Sequence, residues 1–335
     1  MKYLFELSKE HNTIPTSEII SCLKAESVIF NILESNDNVL VIDTNSNSKK
    51  LKNIAERLSF TYYVDSFLFS CKPDIDYIKS ETLKNKIVRK GSIAVRCRNR
   101  SKKINSQPII KFLADIYTKE RKVALTNPDI EIRGLLTNTK LYVGIKIFEI
   151  NRGQYEERKV QYRPYFSPIS LHPKIARVMV NLSSIRKNET LLDPFCGTGG
   201  ILIEAGLIGA KIIGSDIEKK MIEGCKENLN FYKIKNYKLF CSDIGNIGNI
   251  VDKVDAVATD LPYGKSTTTK GEEMHSLYDR AFKNISNLLK KNGKAVIGLS
   301  NNDLIKLGEK YFSVVDKHDI RVHRSLTRHF VVFQI

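Results

Sequence analysis

Strands and helices alternate regularly from residue 171 to residue 335, and this alternation constrains the fold more than any other feature of the chain. Apolar segments with strand character, such as ETLLD before a glycine-rich loop and KIIGSD after it, are separated by segments with helical spacing. Such alternation is typical of a mainly parallel, doubly wound sheet with helices on both faces. We therefore predict a Rossmann-like α/β domain with seven strands over residues 171–335, whose ligand binds beyond the carboxyl ends of the strands.

An aspartate follows each of the first four predicted strands of this domain. They are Asp193, Asp216, Asp243 and Asp260. One aspartate after a strand is usually a turn residue, but four at the same sheet edge indicate a polar ligand with an ammonium group, ribose hydroxyls and an adenine. Asp216, 23 residues after Asp193, fits recognition of ribose hydroxyls, and Asp243 is a candidate acceptor for an adenine amino group.

A glycine-rich loop, DPFCGTGG, connects the first predicted strand to a helix. Gly197 and Gly199 allow a tight backbone and a close approach to a ligand. The dinucleotide fingerprint requires a glycine where Leu202 stands, and no Gly-Lys-Ser/Thr sequence follows the loop. These departures argue against a nicotinamide cofactor and against a phosphate-binding loop.

The segments DPFCGTGG, GSDI, CSDI and DLPYG stand in the order and approximate spacing of class I S-adenosylmethionine-dependent methyltransferases, which this domain resembles. The resemblance implies S-adenosyl-L-methionine as the cofactor. It also implies the cofactor-binding residues Asp193, Phe195, Gly197, Thr198, Gly199, Asp216, Ile217, Asp243, Ile244 and His172. For His172, which precedes the helix before the first strand, a helix-capping role is the alternative.

The segment Asp260-Leu261-Pro262-Tyr263 resembles the [DN]-P-P-[YF] motif of methyltransferases that act on exocyclic amino groups, which implies that these four residues are catalytic. Such an amino group needs acceptors for its two hydrogens so that its lone pair points at the methyl group. The Asp260 side chain and the Leu261 carbonyl are the candidate acceptors, and Tyr263 is the candidate stacking platform for a flipped base. Leu261 replaces the usual first proline, which removes a fixed φ angle from the loop.

The front half of the chain divides into three predicted segments. Residues 1–70 have the βαββαβ order of a ferredoxin-like domain. Residues 71–150 have an α+β pattern and resemble a THUMP domain, and residues 151–170, which show little apolar periodicity, are predicted to be a linker. The whole order is similar to that of THUMP-containing tRNA methyltransferases, whose THUMP domain is understood to hold the acceptor end of tRNA.

Positive charge is concentrated in the second of these segments. The formal net charge of the chain is +17, and residues 84–122 contain 13 basic and 2 acidic residues. Such concentration favours binding to nucleic acid, with a merely solvated surface as the alternative. The predicted RNA-binding residues are Lys84, Lys86, Arg89, Lys90, Arg96, Arg98, Arg100, Lys102 and Lys103. The three arginines alternate along a predicted strand and are expected to point outward.

Within the family, DLPYGKSTTT and HRSLTRHFVVF are most similar to archaeal members that methylate the exocyclic N2 of guanine at position 10 of tRNA. The resemblance implies a tRNA (guanine-N2-)-methyltransferase, with tRNA position 6 and ribosomal guanines as alternative targets. A non-catalytic tRNA-binding subunit, supported by Leu261, and a DNA adenine methyltransferase are the other hypotheses. For His323, Arg324 and Arg328, contact with RNA or the base pocket and a structural role stay open, as does the number of methyl groups added.

Composition excludes several other classes of protein. No segment approaches the roughly 20 apolar residues of a membrane span, and the amino terminus lacks the apolar run of a signal peptide. The six cysteines are scattered without a C-x-x-C pair, so neither a zinc site nor a disulfide framework is expected. We expect a cytoplasmic monomer without a metal, and the sequence leaves open whether a small activating protein partner is needed.

Overall fold

The computed structural model describes residues 1–167, 170–263, 273–323 and 326–335, which group into two compact units. Unit 1 comprises residues 1–10, 28–56 and 61–151, and unit 2 comprises residues 11–27 and 57–60 with the described part of 152–335.

The strands are β1 (Lys2–Leu7), β2 (Phe30–Ser35), β3 (Val39–Thr44), β4 (Thr61–Cys71), β5 (Ile93–Asn99), β6 (Ile130–Leu136), β7 (Leu141–Glu149), β8 (Thr190–Asp193), β9 (Lys211–Asp216), β10 (Tyr237–Cys241), β11 (Val254–Asp260), β12 (Leu289–Leu299), β13 (Ser313–His323) and β14 (Leu326–Gln334). The helices are α1 (Ile14–Ala25), α2 (Ser48–Arg57), α3 (Ile75–Lys84), α4 (Gln107–Tyr117), α5 (Gly153–Glu157), α6 (Pro173–Leu182), α7 (Gly200–Leu207), α8 (Lys219–Phe231), α9 (Met274–Leu288) and α10 (Asp303–Gly308). In the described part of the chain, no helix is both long enough and apolar enough to cross a membrane.

Unit 2 is built on a seven-stranded sheet in the order β10-β9-β8-β11-β12-β14-β13. The first five strands in this order run parallel, and β14 runs antiparallel to β12 and β13. Successive strand residues face opposite sides of the sheet, so Leu191 packs with apolar residues of α6, α7 and α8 while Leu192 packs with those of α9 and α10. The predicted Rossmann-like, mainly parallel sheet is confirmed, and it brings the carboxyl ends of β8, β9, β10 and β11 side by side.

Unit 1 is built on a second seven-stranded sheet, in the order β2-β3-β1-β4-β7-β6-β5. Its first four strands are antiparallel neighbours and follow the βαββαβ order of a ferredoxin-like arrangement, although α1 groups with unit 2. Strand β4 also pairs with β7, so the sheet is continuous across the predicted boundary at residue 70. A separate THUMP domain over residues 71–150 stays a prediction.

The segment predicted as a linker is folded and belongs to unit 2 from residue 152 onward. It contains α5 and a short 3-10 helix at Val160–Tyr162. Tyr155 is 1% exposed, and its hydroxyl donates to the backbone carbonyl of Leu58 at 3.1 Å. The segment therefore packs through single side chains rather than an apolar stripe, which is why it lacks periodicity. Pro168 and Ile169 lie outside the described residues.

The predicted RNA-binding residues divide into exposed residues outside β5 and β5 arginines that pair with buried acids. Lys84, Lys86, Arg89, Lys90, Lys102 and Lys103 are exposed. The β5 arginines are paired instead: Arg98 and Arg100 lie 2.9 and 3.0 Å from Oε1 of the buried Glu6, and Arg96 lies 3.6 Å from Glu131. The Arg100 side chain is only 8% exposed, so the prediction that it points outward is wrong. The physical reason is that a buried carboxylate such as Glu6 requires cationic partners.

Candidate active site

A cavity of about 390 Å³ lies in unit 2 at the carboxyl edge of β8, β9, β10 and β11. This volume is in the range of cavities that bind a cofactor or another small molecule. The predicted residues that line it are Asp193, Phe195, Gly197, Thr198, Asp216, Ile217, Asp243, Ile244, Asp260, Leu261, Pro262 and Tyr263. Two predicted cofactor residues, Gly199 and His172, do not line it.

Backbone hydrogen bonds to the Asp216 carboxylate hold the glycine-rich loop against the end of β9. Gly197 and Gly199 adopt φ angles of +49° and +85°, a region that favours glycine. The Gly197 N–H donates to Oδ2 of Asp216 at 3.0 Å, and the Glu218 N–H donates to Oδ1 at 2.9 Å. A Cβ added at Gly199 would lie 2.6 Å from the Cys225 sulfur, so this glycine is needed for packing against α8.

Asp193 is almost completely buried beneath the loop. Its Oδ1 accepts from the Thr259 hydroxyl at 2.7 Å and from the Phe195 N–H at 3.2 Å. Burial raises the pKa of Asp193 to about 7, and the nearby carboxyls of Asp216 and Asp260 act in the same direction. Asp193 therefore ties the loop to the strand that ends in Asp260.

Asp243 is paired with Arg280 of α9, a residue that the sequence reasoning missed. The two side chains form a bidentate ion pair in which Arg280 Nη2 lies 3.2 Å from Asp243 Oδ2. Burial alone would raise the pKa of Asp243, but the hydrogen bonds from Arg280 and from the Gly245 N–H hold it below its usual value. The Asp243 carboxylate is thereby kept ionised at the edge of the cavity.

His172 caps helix α6. Its Nδ1 accepts from the Lys174 N–H at 3.2 Å, and its Nε2 lies 3.4 Å from Glu156. Burial lowers the pKa of His172 below its usual value, although Glu156 opposes this shift. His172 therefore caps the helix, its alternative role, and it does not line the cavity, so its assignment to the cofactor site stays a prediction.

The carboxylate of Asp260 faces the cavity with one oxygen engaged. Oδ2 lies 3.3 Å from Nη2 of Arg328, whereas Oδ1 is buried without a hydrogen-bond partner among the described residues. Burial raises the pKa of Asp260 to about 6, and the charge of Arg328 limits this rise. One carboxylate oxygen of Asp260 therefore keeps its capacity to accept a hydrogen bond.

The backbone after Asp260 is fixed by two further hydrogen bonds. The Leu261 N–H donates to the Gly298 carbonyl at 3.1 Å, a bond that the usual proline of the motif could not make. The Tyr278 hydroxyl donates to the Pro262 carbonyl at 2.6 Å. Leu261 is also 1% exposed and packs in the apolar core on the α9 side of the sheet. These contacts replace the rigidity that a proline would supply.

Arg328 joins Asp260 to the predicted stacking residue. The guanidinium carbon of Arg328 lies 4.7 Å from the centroid of the Tyr263 ring, within the range of a cation–π contact. From the sequence, Arg328 is open between contact with RNA or the base pocket and a structural role. The remainder of the matched motif, 264–269, and Arg324 lie outside the described residues, as does the side chain of His323.

Two family models match the chain. The model described as RMKL-like, methyltransferase domain matches residues 160–329, about half of the chain. This range contains every cavity residue from Asp193 to Tyr263. A model described as DNA methylase matches residues 16–227, so its match ends before Asp260 and does not include the candidate catalytic loop.

Curated relatives extend over nearly the whole chain. The tRNA (guanine(10)-N2)-dimethyltransferase of Methanothermobacter thermautotrophicus is 34% identical over 98% of each chain. The protein of the same name from Methanocaldococcus jannaschii is 30% identical over 98% of this chain and 99% of the relative. That from Pyrococcus abyssi is 37% identical over 76% of this chain and 75% of the relative.

Solved structures share the fold at much lower identity. TrmN from Thermus thermophilus is 14% identical, with all of both chains covered and a TM-score of 0.58. The SAH complex of SMU.472 is 13% identical over 98% of this chain and 97% of the other, with a TM-score of 0.53. These likenesses show the fold, and the curated relatives with the matching catalytic domain show the family. The chain therefore belongs to the RMKL-like methyltransferases, in the group of archaeal tRNA (guanine(10)-N2)-dimethyltransferases.

Proposed function

We propose that this methyltransferase transfers the methyl group of S-adenosyl-L-methionine to the exocyclic N2 of the guanine at position 10 of tRNA. The observation that carries the proposal is the partly buried Asp260 carboxylate, which keeps one oxygen without a partner among the described residues beside Leu261 and Tyr263. The names of the relatives supply the nucleotide and its position. Transfer of one or two methyl groups is compatible with this site, and the relatives are named dimethyltransferases.

The donors and acceptors around the glycine-rich loop fit the cofactor. Each Asp216 oxygen accepts one backbone N–H, and a carboxylate oxygen has room for a second hydrogen bond, here from a ribose hydroxyl. Ile217 and Ile244 provide apolar walls, and Asp243 is the acceptor nearest to a bound adenine amino group in this proposal. When bound, S-adenosylmethionine supplies an electrophilic methyl group on a sulfonium.

Replacing Asp216 by alanine is expected to weaken S-adenosylmethionine binding by about tenfold or more. Hydrogen bonds to a charged acceptor are worth about 1.5–3 kcal/mol, and about 1.4 kcal/mol corresponds to a tenfold change in Kd. Isothermal titration calorimetry measures the effect. Asp252→Ala, which removes an exposed aspartate outside the cavity, is the matched control. An unchanged Kd in the Asp216 variant would contradict the assignment.

The residues of the catalytic loop would act by positioning and by charge stabilisation. The Asp260 carboxylate and the Leu261 carbonyl accept the two amino hydrogens and aim the nitrogen lone pair at the methyl group. Positive charge develops on that nitrogen during transfer, and preorganised acceptors stabilise it. The methylated nitrogen would be acidic and would release its proton to solvent, so no strong base is required. Tyr263 stacks on the base, which is flipped from its stem at a cost of a few kcal/mol.

Gly298 sets the position of the Asp260 carboxylate. A Cβ at Gly298 would lie 2.3 Å from Asp260 Oδ1, so the side chain of even an alanine must displace the carboxylate. We expect Gly298→Ala to lower kcat by about 100-fold, since an ångström of misplacement costs this much in a positioned site. Gly248→Ala is the control, because its Cβ would meet nothing closer than Leu288 at 4.0 Å. Equal turnover by the two variants would show that Asp260 can move without loss.

The exposed basic residues of unit 1 supply the grip on RNA in this proposal. Lys86, Arg89 and Lys90 lie in one exposed segment, and Lys102 and Lys103 lie in another. Contacts of this kind to phosphates are independent of base sequence and weaken with salt. They are what a THUMP domain that holds tRNA would require. Arg100 is removed from this set because Glu6 neutralises it in the interior of unit 1.

The proposal is tested by incubating the protein with labelled S-adenosylmethionine and transcribed tRNA, followed by nucleoside analysis. The expected product is N2-methylguanosine or N2,N2-dimethylguanosine. No label transfer by the folded protein, together with no cofactor binding in calorimetry, would overturn the proposal and favour the alternative of a non-catalytic tRNA-binding subunit. The match to a DNA methylase model motivates a competition arm with duplex DNA. Label in adenine of the DNA would redirect the proposal to that substrate.

A further inference from the structure

We propose that Arg328 is a positioning residue for the transfer, which holds the Asp260 carboxylate as a fixed acceptor and orients the Tyr263 ring. This inference rests on the proposed function. Arg328 lies on β14, the antiparallel strand next to β12 in the sheet, whereas Asp260 and Tyr263 belong to the end of β11 and the loop that follows it. One planar guanidinium therefore contacts both the acceptor and the stacking residue.

The two oxygens of the Asp260 carboxylate have different surroundings. Oδ2 is occupied by Nη2 of Arg328 at 3.3 Å, and Oδ1 has no partner among the described residues. The backbone of Gly298 packs against Oδ1 so closely that a Cβ there would approach to 2.3 Å. The carboxylate is thus confined between Arg328 and Gly298, and the contact with Arg328 fixes its orientation.

Arg328 also contacts Tyr263, the proposed stacking residue. The guanidinium carbon of Arg328 lies 4.7 Å from the Tyr263 ring centroid, and the Arg328 side chain is 11% exposed. A planar guanidinium on one side of a ring orients that ring, whereas the ammonium of lysine is a point charge and does so less well. A base that stacks on the other face of Tyr263 then contacts a ring whose orientation is fixed.

The charge of Arg328 also acts on the pKa of Asp260. Among the described titratable groups around Asp260, Arg328 of β14 lowers its pKa, and Asp260 in turn raises the pKa of Asp193 of β8 and of Tyr278 of α9. Burial raises the pKa of Asp260, and the charge of Arg328 opposes this rise. Removing the cation would raise the pKa of Asp260 further above its present value of about 6. A protonated carboxyl offers fewer acceptor sites to the amino group, so transfer would be slower at neutral pH.

The test is the pH dependence of single-turnover methylation of tRNA by the full chain, from about pH 6 to about pH 9. Asp260 acts when ionised, so activity is lost as the pH falls through its pKa. In Arg328→Met we expect this acidic limb to move to higher pH, because an opposite charge at this range shifts a pKa by about 1–3 units. At pH 7 the rate falls by about tenfold for a shift of two units, and part of the loss is recovered at pH 9.

Arg328→Lys separates the electrostatic effect of Arg328 on Asp260 from its planar contact with Tyr263. It keeps the charge, so its acidic limb stays near that of the wild type, but it loses the planar contact with Tyr263, so the rate at its plateau falls. Arg321→Gln, which removes an exposed charge from the neighbouring strand β13, is the matched control and should change neither quantity. Calorimetry with S-adenosylmethionine establishes that each variant is folded.

The outcomes distinguish the two proposals. No transfer by the wild type would overturn the proposed function itself. Transfer by the wild type with an unshifted acidic limb in Arg328→Met, or an unchanged plateau in Arg328→Lys, would overturn the role of Arg328 alone. If Arg328→Met does not bind cofactor, the plateau of Arg328→Lys decides the matter. A purely structural role would lower the rate equally at every pH.

Discussion

Replacing Asp260 by alanine is expected to reduce methyl transfer by at least about 100-fold while S-adenosylmethionine still binds. Loss of a single preorganised group that stabilises transition-state charge typically costs about 10²–10³ in kcat. The cofactor contacts proposed here involve Asp216 and Asp243, which follow other strands, so cofactor binding should change little. Single-turnover kinetics and calorimetry on the same preparation measure the two effects.

Asp260→Asn is the matched variant for this prediction. It keeps the shape of the side chain and one acceptor oxygen, and the [DN]-P-P-[YF] motif accepts either residue, so we expect a smaller loss than with alanine. Both variants leave Arg328 without its carboxylate partner. The asparagine variant is therefore a control for the loss of this ion pair. Normal turnover by Asp260→Ala would refute the role assigned to this carboxylate.

The second large effect is on stability and concerns Glu204 of α7. Its carboxylate is completely buried and accepts from Arg158 at 2.8 and 3.0 Å and from Arg177 at 2.9 Å. Replacing Glu204 by glutamine leaves two mostly buried guanidinium groups without a compensating charge. Removing one partner of a buried ion pair costs about 3–5 kcal/mol in the free energy of unfolding. Denaturant unfolding, followed by circular dichroism, measures it.

Glu223→Gln is the control for the Glu204 prediction. Glu223 lies on α8, where its exposed carboxylate is 3.8 Å from Lys219. Exposed pairs of this kind contribute at most about 1 kcal/mol. If the two glutamine variants unfold at the same denaturant concentration, the Arg158–Glu204–Arg177 cluster contributes no more than a surface pair does.

The sheet of unit 2 and the acids at its edge were predictable for one physical reason. Parallel strands bring their carboxyl ends to one edge, so an aspartate after each of several strands must converge with the others. The structure places Asp193, Asp216, Asp243 and Asp260 around one cavity, as this rule requires. The location of the glycine-rich loop at this edge was predictable in the same way, because the loop directly follows β8 in the sequence.

The partners of these acids could not be predicted. Arg280 comes from α9 and Arg328 from β14, and no spacing in the sequence relates either residue to the aspartate that it contacts. Long side chains reach several ångströms from their own backbone, so which acid they pair with depends on packing. The same limit explains Arg100, whose alternating position on β5 indicated a face of the strand but not the buried Glu6 on that face.

Leu261 illustrates a departure from a motif that packing compensates. The sequence shows the loss of a proline and therefore of a fixed φ angle. The structure adds the Leu261 N–H bond to Gly298 and a buried side chain, neither of which a sequence pattern can reveal. This compensation removes the only sequence feature that favoured a non-catalytic protein.

The most direct test of the central claim is to locate the methyl group in the reacted tRNA. The tRNA is cleaved with a base-specific ribonuclease after the reaction, and the methylated fragment is sequenced by mass spectrometry. We predict N2-methylated guanine at position 10, and no methylation of a transcript that carries adenine there. A methyl group on any other nucleotide, or equal methylation of both transcripts, would contradict the proposed function.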